Sequence, residues 1–404
     1  MRMEYRKFSK FIEKVQYGFT ADETSTISGD AKYLRITDIV PYFVDKDRVP
    51  YCTIPQKKKE QYLVKENDLL IARTGATTGY NLIIPKGFED YIFASYLVRI
   101  YYNQRELYPL YLKHVLKSQQ YYSFVNNYIG GSAQPGMNPR AFGRFEVPYF
   151  DYDQQKQIAA VLSTYNNLIE LNNKRIKVLE QMAENLYKEW FVRFRFPGHE
   201  SVPFENGLPK GWTRDRISKY YLTSSGGTPS REHDENFDGG TIPWIKTGEL
   251  QDCLIIDTEE HITETAVKKS SAKKFSKDSV LMAMYGVNIG MLAYSTIEAT
   301  CNQACCVFTD KGKESTKHYL FQHLKSIRDY LLLIGFGAAQ QNLSQDLIKR
   351  VKIVRPDKET IARFEQSIEP LYNETKHLLA ENRSLIKQRD LLLPRLMSEK
   401  LEVK

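Results

Sequence analysis

Ile158-Ala-Ala-Val-Leu-Ser-Thr-Tyr-Asn-Asn-Leu-Ile-Glu-Leu-Asn-Asn-Lys-Arg-Ile-Lys-Val-Leu-Glu-Gln-Met-Ala-Glu-Asn-Leu-Tyr-Lys-Glu-Trp190 steps its apolar residues by four and three. Ile158, Leu162, Tyr165, Ile169, Asn172, Ile176, Leu179, Ala183, Leu186 and Trp190 share one a/d seam, the spacing of a long amphipathic helix. A shift of 206 residues carries the seam onto Phe364, Ile368, Leu371, Thr375, Leu378, Asn382, Leu385, Arg389, Leu392 and Leu396, where Thr375, Asn382 and Arg389 are the exceptions. Pro370, near the start of the second copy, is expected to kink or restart it. A long apolar stripe needs a partner, and the other copy is the obvious one. Two such helices in one chain can meet antiparallel and place two globular parts at opposite ends. Asn172 and Asn382 are then candidates for a contact that fixes register, although solvated ends or a partner protein would explain them as well.

The duplication continues outside the helices. Gly131-Ser-Ala-Gln-Pro-Gly-Met-Asn138 aligns with Gly337-Ala-Ala-Gln-Gln-Asn-Leu-Ser344, and Phe145, Val147 and Asp151 with Val351, Ile353 and Asp357, all at 206. Within the globular parts the echo is looser and the shift is 211. Val64 to Gly79 reads against Phe275 to Gly290, and Tyr33 to Ile39 against Trp244 to Leu250, each a β-type run beside turn residues. The fold class is therefore α+β: two mixed α/β domains separated by two long antiparallel, coiled-coil-like helices, with an internal pseudo-two-fold repeat. The expected bounds are a first globular domain over 1–152, a central long helix over 153–196, a second globular domain over 197–356 and a C-terminal long helix over 357–404.

Composition bounds the function. At 404 residues the chain is too long for one core. Its longest apolar patch, Tyr330-Leu-Leu-Leu-Ile-Gly-Phe336, is too short to span a membrane, and Met1-Arg-Met-Glu-Tyr leads into no signal-like apolar region. A cytoplasmic protein with no membrane contact is expected. Five cysteines without a CxxC pair read as reduced thiols, so neither metal nor cofactor is expected. Lys and Arg outnumber Asp and Glu by 57 to 49, a net +8 that favours a polyanionic partner or simply serves solubility.

Several segments together resemble the specificity subunit of a type I restriction-modification system. They are Leu208-Pro-Lys-Gly-Trp212, Ser225-Gly-Gly-Thr-Pro-Ser-Arg231, Leu186-Tyr-Lys-Glu-Trp-Phe-Val-Arg-Phe194, the paired Gly-x-Ala-Gln segments and Leu391-Leu-Leu-Pro-Arg-Leu-Met-Ser398. The resemblance implies two target recognition domains, each reading one half of a bipartite, asymmetric double-stranded DNA sequence. It also implies two methyltransferase (modification) subunits docked on the helical regions, restriction/translocase subunits outside them, and no chemistry in the subunit itself. The first domain departs from the pattern: it opens Tyr5-Arg-Lys-Phe-Ser-Lys-Phe11, without the Pro-Lys-Gly-Trp entry or the Gly-Gly-Thr-Pro-Ser segment.

The residues supply no alternative chemistry. Asn138-Pro-Arg-Ala and Gly335-Phe-Gly-Ala are poor substitutes for methyltransferase loops, and Gly75-Ala-Thr-Thr-Gly79 lacks the Gly-Lys-Ser/Thr of a P-loop. Sequence is read by side chains that reach base edges, Arg to guanine and Asn or Gln to adenine above all. In the first domain the candidates are Arg35, Thr37, Arg73, Thr74, Thr77, Thr78, Gln134 and Asn138. In the second they are Lys246, Thr247, Tyr285, Asn288, Gln340 and Asn342. Gln134 and Gln340, common to both copies, suit a scaffold or phosphate role. Arg73 against Met284 and Thr77 against Asn288 differ between copies and suit base reading. A helix of about 40 residues is roughly 60 Å long, so the helices are expected to act as the ruler between half-sites. A specificity module for another methyltransferase-nuclease architecture and a coiled-coil scaffold with protein-binding ends are the competing readings.

Overall fold

The computed structural model describes residues 4–22, 24–40, 44–129, 136–312, 316–335 and 342–397. Two helices dominate it: a central helix, Tyr152–Tyr187, and a C-terminal helix, Lys358–Met397. Both begin on the same device. Asp151 accepts from the Gln154 N–H (2.9 Å) and Asp357, 206 residues later, accepts from the Thr360 N–H (2.9 Å), each carboxylate satisfying an orphan donor of the first turn. The central helix runs into a π turn, Lys188–Val192, in which Trp190 and Phe191 are both buried. Phe194, at φ +56°, and Pro197 follow. The C-terminal helix is unbroken through Pro370, contrary to the expected restart. Pro370 is exposed, and the carbonyl it leaves without a donor belongs to Gln366, itself exposed, so water is at hand for that oxygen.

The chain folds as two units, Met1–Leu171 with Arg383–Lys404, and Asn172–Asn382. Each unit is a globular head plus a portion of both long helices. In the first, Ile158, Leu162 and Leu396 share one core, and the Arg389 guanidinium donates to the Asn166 side-chain oxygen (2.9 Å). In the second, Asn172 donates to Asn382 (3.0 Å) and Glu381 (3.0 Å), Asn382 donates to Asn173 (2.9 Å), Arg175 pairs with Glu374 (2.6 Å), and the Trp190 and Phe364 rings lie 5.6 Å apart. Partner numbers fall as central-helix numbers rise, so in both units the segments run antiparallel. The a/d positions lie against this seam: Ile169, Ile176, Phe364, Ile368 and Leu378 are buried.

Among the described residues the first head has three sheets. Glu4–Lys7 pairs antiparallel with Glu146–Tyr149. A four-stranded sheet has the order Ile12–Tyr17, Leu97–Tyr102, Leu69–Ala72, Asn81–Ile83. A second has the order Thr24–Ser25, Tyr51–Cys52, Ala31–Leu34, Tyr91–Phe93, its last pair parallel. Leu69-Leu-Ile-Ala72 is apolar throughout because both faces are covered. Leu69 and Ile71 face the core that holds Phe11 and Leu112, whereas Leu70 and Ala72 face the one that holds Leu34 and Phe93.

The second head repeats this order. Thr213–Arg216 pairs with Lys352–Arg355. The large sheet runs Tyr221–Ser225, Cys305–Asp310, Ser279–Ala283, Leu292–Ser295, with Cys253–Ile255 added at the edge. Ile242–Ile245 stands between His261–Ile262 and, in parallel, Thr300–Cys301. The offset changes within the head: Asn81 corresponds to Leu292 at 211, Leu97 to Cys305 at 208, and Glu146 to Lys352 at 206. The loops between strands absorb the difference. All five cysteines are free, four of them buried.

Candidate nucleic-acid interface

In each head one end of the large sheet gathers a glycine-bounded turn, the loop that precedes the long middle strand, and a segment returning toward the helix. The turns are Arg73–Tyr80 and Met284–Met291, with Gly75 and Gly79 at φ +77° and +87°, and Gly286 and Gly290 at +85° and +77°; all four lie in the left-handed region that favours glycine. The backbone bonds recur pair for pair. The Arg73 N–H donates to the Tyr96 carbonyl (3.1 Å) and the Met284 N–H to that of Ala304 (2.8 Å). The Met137 N–H donates to the Arg73 carbonyl (2.9 Å) and the Leu343 N–H to that of Met284 (2.7 Å). The Ala94 N–H donates to Leu34 (2.9 Å) and the Asn302 N–H to Ile245 (3.0 Å).

Within this frame the candidates divide by how their polar atoms are engaged. Arg35 turns back on Asp38, donating through Nε (3.0 Å) and Nη2 (2.9 Å), while its N–H donates to the same carboxylate (2.8 Å). The Asp38 hydrogen bond raises the guanidinium pKa further. Thr37, two residues on, is exposed. Thr78 is buried and donates to the Gly75 carbonyl (2.7 Å), so it shapes the turn from inside. Thr74 opens the 3-10 turn and bridges to Gly136, and the Thr77 hydroxyl is buried with no hydrogen-bond partner among the described residues. Asn138 caps the short helix Pro139–Phe142, accepting from the Ala141 N–H (2.9 Å). Ser344, at the aligned place, caps Gln345–Arg350 through the Leu347 N–H (3.2 Å). Capping thus occupies the oxygen offered for adenine.

Arg73 differs from Arg35. Its Nε donates to the Ser95 carbonyl (3.3 Å) and its guanidinium carbon lies 5.2 Å from the Tyr17 ring centroid, while Nη1 and Nη2 make no hydrogen bond among the described residues. In the second head, Lys246 is held between Glu260 (2.8 Å) and Glu259 (3.1 Å), which together raise its pKa, and Arg231 also pairs with Glu260 (2.6 Å). The Lys246 N–H donates to Glu249 (2.9 Å), as that of Arg35 does to Asp38. Asn288 donates to the Thr247 carbonyl (2.9 Å), tying the glycine turn to the neighbouring loop. Tyr285 is exposed at the turn's tip and Asn342 is half-buried beside Leu343. Gln134 and Gln340 lie outside the described residues.

Sequence reading missed Tyr17 and Tyr96, 50% and 58% exposed: strand pairing brings the Tyr17 ring to Arg73, and the Tyr96 carbonyl accepts from the Arg73 N–H. It also missed that Gly18 answers Gly226. A Cβ at Gly18 would run into the Ala94 carbonyl and one at Gly226 into that of Cys301. The Phe19 N–H donates to Phe93 (2.8 Å) as the Gly227 N–H does to Cys301 (2.9 Å). Tyr17-Gly-Phe-Thr20 is therefore the first head's counterpart of Ser225-Gly-Gly-Thr228, with only the glycine and threonine surviving to signal it.

Residues 24–181 and 210–382 match the family described as the type I restriction modification DNA specificity domain. The chain is similar to the type I restriction enzyme MjaIX specificity subunit of Methanocaldococcus jannaschii, 26% identical over 348 residues, covering 82% of this chain and 74% of that one. It is 21% identical over 401 residues to the HindI specificity subunit of Haemophilus influenzae, covering 83% and 86%. The crystal structure of a type I restriction-modification S subunit from M. genitalium matches with a TM-score of 0.55 at 15% identity, over 98% of this chain and 96% of that one, a likeness of fold.

Proposed function

This chain belongs to the type I restriction-modification DNA specificity family, and from that premise we propose that each head reads one half of a bipartite, asymmetric duplex sequence and performs no chemistry itself. The observation that carries this reading is the pair of loop clusters described above. The same backbone hydrogen bonds hold both, yet the side chains at matching places differ: Arg73 against Met284, Thr77 against Asn288, Tyr96 against Ala304. A repeated frame with unlike tips suits two readers of different sequence, since phosphate contacts position a protein and base contacts specify its site. The helices, joined by a polar layer at Asn172 and Asn382, are the frame on which two methyltransferase subunits dock, with restriction/translocase subunits outside them, and they set the gap between the half-sites.

The test is co-expression with the partner methyltransferase subunit in a host lacking other modification, followed by sequencing of methylated bases. A motif of two fixed halves around an unspecified gap is expected. Exchanging residues 12–138 for those of a relative should then alter one half alone. A continuous motif, or a change in both halves, would overturn the reading.

A further inference from the structure

We propose that Arg73 is a base-reading residue of the first head, presenting an open guanidinium fork to a guanine, with the Tyr17 ring packed against it. The inference rests on the DNA-recognition reading above and names the base class that one residue takes.

Arginine reads guanine with two parallel N–H donors directed at O6 and N7, and the pairing discriminates only when the fork is free and held still. Both conditions meet at Arg73. The Nε is committed to the Ser95 carbonyl (3.3 Å), which fixes the guanidinium plane, whereas Nη1 and Nη2 have no partner among the described residues. The stem leaves a strand end locked on both sides, the N–H by Tyr96 and the carbonyl by Met137, directly after the fully buried Ala72. The Tyr17 ring, 5.2 Å from the guanidinium carbon, adds a cation–π contact that restrains the side chain. Less ordering is then left to pay on binding.

The other basic candidates lack this freedom. Arg35 spends Nε and Nη2 on Asp38, and Lys246 sits between Glu259 and Glu260. The second head holds Ser225, Met284 and Ala304 where the first holds Tyr17, Arg73 and Tyr96, so this mode of reading is confined to one half-site.

The experiment compares methylation motifs written by the complete complex carrying wild-type chain, R73M or R73K. R73M installs the residue that the second head tolerates at the same place, and R73K keeps the charge while removing the fork. In both variants one fixed G·C position in one half-site should become degenerate, its discrimination falling ten- to hundredfold, with the other half-site unchanged. Should R73M fail to yield soluble complex, R73K alone decides. An unchanged motif would overturn the proposal. So would a uniform weakening at all sites with the motif intact, the mark of a phosphate contact. A wild-type motif without two halves would instead sink the parent reading.

Discussion

The two heads share a strand order and a set of backbone hydrogen bonds, and they differ at positions whose surroundings are otherwise matched. At the sheet end the first has Arg73, Tyr17 and Tyr96 where the second has Met284, Ser225 and Ala304. Inside the large sheet the first holds a buried ion pair, Arg99 to Asp68 (2.7 Å), with Gln16 and the carbonyls of Gln61 and Leu63 also bound to the guanidinium. The second has Val307 and Ser279 at those places. The strand frame accepts either a charged or an uncharged solution at one site because backbone pairing, common to both, does not consult that side chain. Recognition can therefore diverge without the frame being rebuilt.

The largest effect expected concerns that pair. D68S, which imports the second head's residue, leaves a buried guanidinium without its counter-charge and should cost about 3–5 kcal/mol in denaturant unfolding. Adding R99V completes the second head's combination and should recover part of the loss. A double variant as unstable as D68S alone would mean that the frames are not interchangeable there.

Acid sharpens the comparison next. Burial pushes His323 down to about 4 in the second head, where its Nδ1 faces the Tyr187 hydroxyl at 2.7 Å, and pushes His114 to about 3 in the first, with Lys113 and Arg389 adding to the effect. Both rings are neutral in the fold, while the unfolded chain titrates near 6.5. As pH falls below about 6.5 the unfolded state takes up protons that the fold refuses, so stability present above that pH is lost toward pH 4. For His323 the loss is roughly 3 kcal/mol at the acid end. H323F should flatten this slope for the second head and leave the first head's in place; an unaltered slope in urea midpoints between pH 7 and 4 would refute the assignment.

The smallest effect separates capping from reading. N138A and S344A remove matching helix caps and should each cost about 1 kcal/mol with no change in the methylation motif. A motif change in N138A would make that asparagine a reader after all.

Much of the frame is legible in the sequence. The a/d steps from Ile158 and Phe364 and the recurrence of Asp151 at Asp357 are local patterns, and local patterns set where a helix starts and which face it buries. Pro370 does not restart the helix, because a proline on the solvent side leaves its unpaired carbonyl to water. The candidate surface was half legible. The glycine pairs marked both turns, and the difference between Arg73 and Met284 was visible in the alignment. Asn138, Arg35 and Lys246 carried the right chemistry, but their polar groups turn out to be engaged nearby, by a helix terminus, by Asp38 and by two glutamates.

By itself, then, the sequence determined the duplication, the two paired helices and the strand-turn-strand segments of each head, because periodicity and turn chemistry act over a few residues. Tertiary structure decided which side chains remain open. Tyr17 reaches Arg73 only because Ile12–Tyr17 pairs with Leu97–Tyr102, more than eighty residues away, and no short-range pattern encodes that pairing.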